Sequence, residues 1–451
     1  SVTTQTTLNV SLGAAAKGLE EVVVVGYGTQ KKVNLTGAVA TVSSADIDNR
    51  PITQASQALA GLAPGVQVQQ PGGRPGANGA NITVRGIGTF NSGSAPLVLI
   101  DGIAGSIDDV APDNIGTITV LKDAASAAIY GNRAANGVIL ITTKRGQPGK
   151  IDVSYNNYVG WEKVTRLPQF VNSATYARLT GASAQTVANY EAGTDTDNYG
   201  NVNHLSDLLH SGSGFQQYHN LSFAGGENKT TYLFSASYRG QDGITAKTDN
   251  KRYDIQANID SKLRDNLSLK TSLLGYSQVR NQPVSNSAGI DGIIGYAVRE
   301  PNTYAGLKSD GTYGHQDYYS PEAWLAGPGF DNLRAKNFYG NTSLTWEPIK
   351  GLSLSGTAGY HYYTGVTTTF RPDIYLDANT YVGPNNLYNS TYDGHEVTLI
   401  GLATYAKSIG EHNLKLLVGY QQEDHRDDTF WSSRDRFPNN LLYQLDAGAS
   451  T

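Results

Sequence analysis

The sequence lacks several features that would place it in common classes of protein. None of its 451 residues is cysteine, which excludes disulfide bonds, thiolate metal ligands and a cysteine nucleophile. No run of about 18 apolar residues occurs, so no segment can cross a membrane as a helix. The net charge of −5 predicts no general attraction to nucleic acid. Methionine is absent too, and we therefore expect the initiator end and any signal peptide to lie outside this sequence.

Glycine, with 51 residues, and tyrosine, with 28, are abundant. Beyond residue 149, several segments alternate apolar and polar side chains, as strands with one apolar face do. Each is close to the ~9–11 residues with which a tilted strand crosses a bilayer. We predict nine strands, at Ile151–Trp161, Gln216–Phe223, Thr230–Arg239, Lys251–Ile259, Leu267–Ser277, Asn337–Trp346, Leu352–Tyr363, Val397–Lys407 and Asn413–Tyr420.

The connections between these segments alternate between short turns and long loops. Gly225–Asn228 and Ser261–Asn266 are short, whereas Glu162–Phe215, Gln278–Lys336 and Tyr363–Glu396 are long. This alternation is typical of an outer-membrane β-barrel whose long loops lie outside. A soluble β-protein is the alternative that composition alone leaves open. Aromatic residues near the segment ends suit two interfacial belts; these are Trp161, Phe215, Tyr238, Tyr253, Tyr276, Trp346, Tyr360 and Tyr405.

Residues 81–146 follow a different pattern. Short β-type runs occur at Ile82–Arg85, Pro96–Ile100, Ile115–Leu121 and Val138–Thr143, and Asp123–Tyr130 is an Ala-rich helical turn. The motif VRGIGT lacks the third glycine, the following helix and the βαβ unit of a dinucleotide site. The motif GNRAANG lacks the Lys-Ser/Thr ending of a phosphate loop. Neither glycine-rich motif therefore predicts a nucleotide site.

Four motifs, in order, resemble one family: LEEVVVVGYGTQKK, VRGIGT, PLVLIDGIAG and ITVLKDAASAAIYGNRAANGVILITTKRG. They resemble the plug region of SusC-like TonB-dependent outer-membrane transporters. The resemblance implies a mainly β fold, in which an N-terminal α+β plug domain fills a transmembrane antiparallel β-barrel of about 22 strands. About nine of those strands would lie here, so we expect this chain to be the N-terminal portion of a longer protein.

The resemblance also implies four regions. Residues 1–13 are expected to end a preceding β-sandwich domain, with a disordered tail as the alternative. Residues 14–32 are expected to form the TonB-box segment, residues 33–149 the plug domain, and residues 150–451 the N-terminal part of an incomplete barrel.

The run Val22–Val25 is a strong strand former with no obvious strand partner in the neighbouring sequence. An unpaired β-forming segment is a site where another protein can add a strand. In SusC-like proteins this segment is the TonB box, which binds TonB in its complex with ExbB and ExbD. An ordinary edge strand of the preceding domain is the alternative. The residues predicted to bind TonB are Glu21, Val22, Val23, Val24, Val25, Gly26 and Tyr27.

Charged side chains lie among small and apolar neighbours in the predicted plug. Buried or half-buried ion pairs can hold a plug reversibly, because they set position more than they add net stability. We predict this role for Arg85, Asp101, Lys122, Asp123 and Arg133, and expect Arg85 and Asp101 in particular to be shielded from solvent. For Lys144 and Arg145, solvated surface charges are an equal alternative.

No catalytic constellation is recognisable. The eight histidines show no metal-ligand spacing, and no GxSxG motif occurs. The stretch Thr194–Asn203 resembles part of a calcium loop but lacks the glutamate that closes such a loop. We therefore predict neither an enzyme nor a metal or other cofactor.

The resemblance implies active import of a large nutrient across the outer membrane of a Gram-negative bacterium, with the barrel in contact with lipid. The cargo would be an oligosaccharide or, less often, a peptide, and a SusD-like surface lipoprotein would cap the outer side. The alternative is a non-transporting receptor or a scaffold in an envelope complex. In the loop Gln278–Lys336, we predict that Tyr318, Tyr319 and Trp324 contact the lipoprotein or the cargo, with packing within their own loop as the alternative.

Overall fold

The computed structural model describes residues 22–25, 28–31, 38–48, 50–88, 93–286, 289–410 and 412–449. Residues 1–13, predicted to end a preceding domain, lie outside the described residues. The strands of the described part are β1 (Val22–Val25), β2 (Gly28–Lys31), β3 (Val39–Ser43), β4 (Val66–Gln69), β5 (Asn81–Val84), β6 (Leu97–Ile100), β7 (Ile103–Ala104), β8 (Ile115–Leu121), β9 (Val138–Thr143), β10 (Gly149–Trp161), β11 (Phe215–Glu227), β12 (Thr230–Asp242), β13 (Asp249–Arg264), β14 (Leu267–Gln282), β15 (Phe330–Ile349), β16 (Leu352–Arg371), β17 (Ile374–Tyr375), β18 (Tyr381–Val382), β19 (Asn386–Ile409) and β20 (His412–Asp435).

Short helices connect these strands. The α-helices are α1 (Ser44–Ile47), α2 (Ala124–Ala127), α3 (Ser173–Leu179), α4 (Ala184–Ala192), α5 (His204–Leu209), α6 (Gly289–Arg299) and α7 (Pro321–Ala326). Turns of 3-10 helix lie at Ala55–Leu59, Ile107–Asp109, Pro112–Asn114, Ala128–Ala134 and Leu445–Ala447. Among the described residues, no helix is both long and apolar enough to span a membrane.

The described residues between 38 and 148 form an α+β unit, here called the plug. Its five-stranded sheet has the order β3-β8-β9-β6-β7, in which only β6 and β9 run parallel. Strand β9 is central, and its run Val138–Ile141 is buried on both faces, as the four consecutive apolar residues predict. Strands β8 and β9 match the sequence prediction residue for residue. Strand β6 begins one residue later than predicted, and β5 is shifted by one residue toward the N-terminus.

The core of the plug is apolar, as in a water-soluble domain. Ile115, Ile118 and Ile139 have no measurable exposure and pack with residues of β3, of β5 and of the 3-10 turn Ala55–Leu59. Two residues from outside the plug, Leu274 of β14 and Tyr339 of β15, join this core. The plug therefore carries its own apolar interior and touches the rest of the chain at its edge.

The remaining long strands form one nine-stranded sheet, here called the wall, in the order β10-β11-β12-β13-β14-β15-β16-β19-β20. All eight pairings are antiparallel. The nine predicted strands are thus confirmed, but they have 13 to 24 residues and are longer than predicted. Because the strands extend outward, the long loops shrink to residues 162–214, 283–329 and 372–385.

The two faces of the wall have opposite character. Residues directly opposite each other in the sheet share a face, and the face toward the plug, here called the inner face, buries polar side chains such as Asn220, Ser237, Arg239, Arg252, Asp254, Gln256, Asn258 and Ser272. The opposite, outer face exposes Val153, Tyr155, Leu221, Phe234, Tyr253, Ile255, Leu273, Leu344, Trp346 and Tyr360. The prediction that Tyr276 belongs to an interfacial belt is wrong, because this residue lies on the inner face and its hydroxyl donates to Asp109 of the plug.

At the loop end of the wall, three different loops share one apolar cluster, here called the loop cluster. It is built from α5, α6, α7 and the β17–β18 hairpin, and it buries Leu205, Leu208, Ile290, Ile293, Tyr296, Ala323, Trp324, Ile374, Leu376 and Val382. The long loops are therefore packed against one another, even though they are far apart in sequence.

Candidate functional site

The predicted TonB box lies in a two-stranded ribbon. Strand β1, Val22–Val25, pairs antiparallel with β2, Gly28–Lys31. The expectation of an unpaired segment is therefore wrong, since the partner strand follows two residues later in the same motif. Among the described strands, β1 has no neighbour on its other edge, and an isolated hairpin is only marginally stable. Glu21, Gly26 and Tyr27 lie outside the described residues.

Three of the charged residues predicted to hold the plug make no described contact with the wall. Arg85 is exposed and has a left-handed backbone, with φ of 59°, so the prediction that it is shielded is wrong. Lys122 donates from Nζ to the carbonyl of Pro64 at 2.9 Å. Asp123 caps α2 by accepting from the Ser126 amide at 2.8 Å. Both of these side chains stabilise the plug internally.

The pKa of Asp123 reflects this local role. Its carboxylate accepts the backbone amides of Ser126 and Ala38, and these hydrogen bonds hold the pKa of Asp123 below its usual value. A depressed pKa stabilises the plug above the ordinary pKa of an aspartate and loses its effect as the pH falls below it.

Asp101 and Arg133 do lie at the boundary between plug and wall. The Asp101 side chain is 6% exposed and accepts from the backbone amide and hydroxyl of Thr143 at 3.0 and 2.7 Å. Its backbone carbonyl accepts from Asn341 of β15 at 2.5 Å. Arg133 forms an ion pair with Glu423 of β20. These two predicted residues therefore meet the wall directly.

Arg145 is the clearest bridge near the short-turn end of the wall. Its guanidinium reaches Asp260 of β13 at 2.5 Å and lies 3.6 Å from Asp101 of the plug. The neighbouring Lys144 pairs instead with Asp48 within the plug at 3.1 Å, while its carbonyl accepts from Asn258 of β13.

One buried polar contact between plug and wall was not predicted. Arg252 of β13 is 3% exposed and donates to the carbonyls of Asp108 and Asp109 at 2.8 and 3.0 Å. It also pairs with Asp254, with Nη2 2.7 Å from Oδ1, and its guanidinium lies 3.9 Å from the ring centre of Tyr276. One arginine thus joins two backbone groups of the plug to a buried carboxylate of the wall.

Asp109 completes this contact from the plug side. Its carboxylate accepts from the hydroxyls of Tyr339 and Tyr276 at 2.6 and 3.2 Å, and from the Ser106 amide at 3.0 Å. Burial raises the pKa of the adjacent Asp108, whose carboxyl accepts from Ser56. The spacing of Arg252 and Asp254, two residues apart in a strand, was the sequence signal for two charges on one face.

The plug apex, Gln70–Ala80, is held against the loop end of the wall. Gly76 adopts φ of +64°, and a Cβ there would clash with the side-chain oxygen of Asn250. The next contact outward is the ion pair of Arg74 with Asp291 of α6, at 3.0 Å. The apex therefore links the plug to the loop cluster.

The three aromatic residues predicted to contact a partner or cargo occupy different environments. Tyr318 is exposed, at 59%. Tyr319 is half-buried against Tyr296. Trp324 is 1% exposed and packs in the loop cluster, so its prediction as an outward contact is wrong. The alternative, packing within its own loop region, holds for Trp324.

The loop cluster also contains buried ionisable groups. Nδ1 of the fully buried His204 lies 2.6 Å from Oε1 of Glu322. Burial, with the charge of Glu322 as a second cause, raises the pKa of Glu300 to about 9. No group of histidines and carboxylates suited to a metal is present among the described residues. The acidic stretch with calcium-loop character uses its side chains locally: Asp195 accepts from Asn198, and Asp197 from Ser309.

Several known proteins are similar to this chain in sequence. The family model of the TonB-dependent Receptor Plug Domain matches residues 31–138. TonB-dependent receptor P3 of Formosa agariphila is 32% identical over 461 residues, covering 99% of this chain and 44% of that receptor. TonB-dependent receptor SusC of Bacteroides thetaiotaomicron is 28% identical over 490 residues, covering 96% and 46%. The chain thus spans less than half the length of these two relatives.

A solved structure has the same arrangement. The RagAB peptide importer in its open-open state superposes with a TM-score of 0.79 at 25% identity, over 96% of this chain and 52% of that chain. The ferric citrate transporter FecA superposes with a TM-score of 0.55 at 14% identity, which reflects the fold alone.

Proposed function

The chain belongs to the SusC-like family of TonB-dependent transporters, and from this we propose that the whole protein imports a large nutrient across the outer membrane of a Gram-negative bacterium. The observation that carries the proposal is the polarity of the wall: its outer face is apolar and its inner face is polar and covered by the plug. Apolar outside and polar inside is the arrangement of a barrel surrounded by lipid. A plug on the inner face closes the pore until it is moved.

The β1–β2 ribbon supports TonB as the source of force. We propose that TonB pairs with the free edge of β1 and transmits the energy of the inner-membrane proton gradient through ExbB and ExbD. Backbone pairing of this kind needs an edge with strand geometry and little side-chain specificity. The proposal assigns TonB binding to Glu21, Val22, Val23, Val24, Val25, Gly26 and Tyr27. No nucleotide or catalytic step is needed, and we propose no enzyme activity.

A partner on the outer side follows from the family and from the loop cluster. One solved structure with the same fold is that of the RagAB peptide importer. In this chain the exposed Tyr318 directly precedes Tyr319, which packs against the loop cluster. We propose that a SusD-like surface lipoprotein docks on the loop cluster. The cargo we favour is an oligosaccharide, with a peptide as the second candidate.

Deletion of residues 20–28 tests active import against a scaffold role. A transporter without the box should lose uptake but keep surface binding of the cargo. A non-transporting receptor or scaffold should lose neither its binding nor its assembly. Retained uptake in the deletion variant of the full-length protein would refute the proposal.

Point substitutions separate TonB pairing from hairpin formation. Val24 and Thr29 are directly paired in the ribbon. Proline removes a backbone donor and blocks pairing, so Val24→Pro should abolish uptake, and Thr29→Pro should break the hairpin but leave β1 free for TonB. Val24→Ile is the matched control and should behave as the wild type. If Thr29→Pro alone abolished uptake, the hairpin itself would be what TonB recognises.

A further inference from the structure

Three exposed basic residues, Lys251, Arg334 and Lys336, lie together toward the loop end of the wall and are here called the basic cluster. Lys251 of β13 is directly opposite Val279 of β14, which is directly opposite Arg334 of β15. Residues two apart in a strand share a face, so Lys336 lies on the same face as Arg334. Lys251 likewise shares its face with the exposed Tyr253, which places the basic cluster on the outer face.

The basic cluster begins where the apolar part of the outer face ends. In β13, Tyr253 and Ile255 follow Lys251 in the direction of the short turn, and they are 56% and 62% exposed. In β15, the exposed Phe338 follows Lys336 on the same face. Barrels in lipid carry aromatic girdles where the apolar band meets the headgroups. In a membrane, the three cations would therefore lie at the level of the headgroups of the leaflet on the loop side.

The charges of the basic cluster are not neutralised within the described part of the protein. None of its three side chains forms an ion pair or a hydrogen bond with another described residue. The acids one row closer to the loops are Asp242 and Asp249, which lie opposite each other. Asp242 accepts from the hydroxyl of Ser213, and Asp249 accepts from the amide of Asn281. The positive charge therefore remains available to an anion outside the protein.

The same face of β19 and β20 has a different arrangement of charge. Arg426 pairs with Asp428 of its own strand at 2.9 Å. Asp393 accepts from the hydroxyl of Tyr362 at 2.6 Å. Among the described wall strands, unpaired positive charge at this level of the outer face therefore lies on β13 and β15.

The spacing of the three cations indicates the kind of anion. Lys251 and Arg334 are two strand spacings apart, roughly 9–10 Å, and Arg334 and Lys336 are roughly 6–7 Å apart along one strand. One headgroup with several phosphates can meet all three. An arginine binds phosphate through two parallel N–H groups, and a lysine binds it as a point charge. An acidic protein would have to cover the apolar surface beside the cations as well, whereas a lipid satisfies that surface with its acyl chains.

We propose that the basic cluster binds an anionic lipid of the surrounding leaflet, whose headgroup carries two or more phosphate groups. The phosphates lie against Lys251, Arg334 and Lys336, and the acyl chains extend along the apolar outer face beside Ile255 and Phe338. Clusters of lysine and arginine at a membrane surface attract anionic headgroups in this way. The inference rests on the proposed function only for the barrel embedded in a membrane, and it adds a lipid partner that neither TonB pairing nor cargo binding requires.

Lipid binding to the purified full-length protein in detergent micelles tests the proposal. The probes are diphosphorylated lipid A, its monophosphorylated form and its fully dephosphorylated form, and native mass spectrometry counts the molecules bound. The diphosphorylated lipid should bind at least about tenfold more tightly than the dephosphorylated one, and less so at high salt. Equal binding of the three lipids would overturn the proposal. Displacement of the lipid by inorganic phosphate would also overturn it, because the site would then recognise free phosphate.

Variants assign the binding to the basic cluster. The triple variant Lys251→Gln, Arg334→Gln and Lys336→Gln should reduce the affinity for the diphosphorylated lipid at least about tenfold. The matched controls are Arg426→Gln, in the ion pair at the same level, and Lys407→Gln, on the outer face near the short-turn end. Neither control should change the affinity. Unchanged affinity in the triple variant, or an equal loss in the controls, would contradict the assignment.

A variant that conserves charge keeps the test informative if the triple variant fails to fold. Lys251→Arg combined with Lys336→Arg retains all three charges and should bind the diphosphorylated lipid as the wild type does. A tenfold loss in this variant would show that charge at these positions is not what the lipid recognises.

Uptake measured in parallel keeps the two proposals separate. Deletion of the box should abolish uptake without changing the binding of lipid. Lipid binding by the basic cluster with no TonB-dependent uptake would contradict the import function alone. Uptake by a protein that does not prefer the phosphorylated lipid would contradict this inference alone.

Discussion

The plug and the wall bury opposite kinds of side chain. In the plug, Ile118 and Ile139 are fully buried, and charges such as Arg85 are exposed. In the wall, Arg252 and Asp254 are buried on the inner face. The next residue, Ile255, is 62% exposed on the outer face. The plug thus buries apolar side chains and exposes charged ones, as proteins in water do. The wall buries polar side chains and exposes apolar ones, as proteins in an apolar medium do.

The difference explains how the two regions can be joined yet separable. A plug with its own apolar core does not need a large apolar interface to remain folded. Its boundary with the wall consists largely of hydrogen bonds and ion pairs, such as those of Arg252, Asp109 and Arg145. Water can replace such contacts, whereas an extended apolar interface would resist exposure. The boundary therefore suits the plug movement that the proposed import requires.

Arg252→Met should have the largest effect on this boundary. The change leaves Asp254 buried without its cation and removes both donors to the plug backbone. Loss of one partner of a buried ion pair costs about 3–5 kcal/mol, and we expect the free energy of plug release to fall by that amount. The measurement is urea-dependent protease cleavage of the plug in the full-length protein.

A double variant sharpens the same comparison. Arg252→Met with Asp254→Leu removes the unpaired charge, so part of the loss should be recovered. Arg178→Met is the surface control, because Arg178 and Glu191 are both exposed and such pairs contribute about 0–1 kcal/mol. Equal losses for Arg252→Met and Arg178→Met would show that the buried pair does not hold the plug.

Ile255→Lys tests the outer face of the wall. In a water-soluble protein, a lysine at an exposed site would be harmless. On the lipid-facing side of a barrel, it should cost about 2–4 kcal/mol near the midplane, measured as the free energy of folding of the full-length protein into lipid vesicles. Leu307→Lys, at a similarly exposed residue in a loop, is the control and should be near neutral. No difference between the two variants would contradict the assignment of the outer face.

The wall strands could be predicted because apolar and polar side chains alternate along them, which gives each strand one apolar face. The ends of the strands could not be predicted. Strand β20 continues from Tyr420 to Asp435 through mostly polar residues, and its extent is decided by backbone pairing with β19. The strands β8 and β9 of the plug were predicted well, since both are runs rich in β-branched residues and bounded by turns.

The boundary was harder to predict than either region. Asp109 and Arg252 are 143 residues apart in the chain, and nothing local to Asp109 distinguishes it from a solvated loop aspartate. Asp123 and Lys122 were assigned to the boundary because of their apolar neighbours. In the structure, Asp123 instead caps α2, and Lys122 donates to the carbonyl of Pro64 within the plug. Trp324 was expected to contact a partner or cargo because it lies in a long loop. Its burial depends on a core formed by three separate loops, which the sequence of one loop does not reveal.

Asp123→Ala should have a moderate effect, confined to the plug. The change removes the cap of α2 and should lower the stability of the plug by about 1 kcal/mol, without altering its release from the wall. Because the pKa of Asp123 is depressed, this contribution is present at neutral pH and is lost as the pH falls below the ordinary value near 4. Amide hydrogen exchange of β3 and β8 at pH 7 measures it.

The control for Asp123→Ala is Arg85→Ala, which removes an exposed side chain and should change the exchange by no more than a few tenths of a kcal/mol. A loss in Asp123→Ala that appeared in plug release, and not in exchange within the plug, would restore the original expectation that Asp123 holds the plug to the wall.

The loop cluster provides the finest test, because it has an apolar core like the plug and a buried carboxyl group, Glu300, that forms no ion pair among the described residues. Glu322, His204 and Tyr304 are the ionisable groups that act on this site. Burial raises the pKa of Glu300 to about 9, so the folded cluster holds a proton that the unfolded chain releases near pH 4.5. Its stabilising effect is therefore full below the unfolded pKa and is lost as the pH rises through about 9.

We expect local opening of α6 and α7 to increase between pH 6 and pH 9.5, while the wall strands remain protected. Hydrogen exchange of the full-length protein, corrected for the intrinsic pH dependence of exchange, is the measurement. Glu300→Gln keeps the shape of the side chain but cannot ionise, so it should remove the increase, and the exposed Glu191→Gln should not. The same pH dependence in Glu300→Gln would show that ionisation of Glu300 does not open the loop cluster.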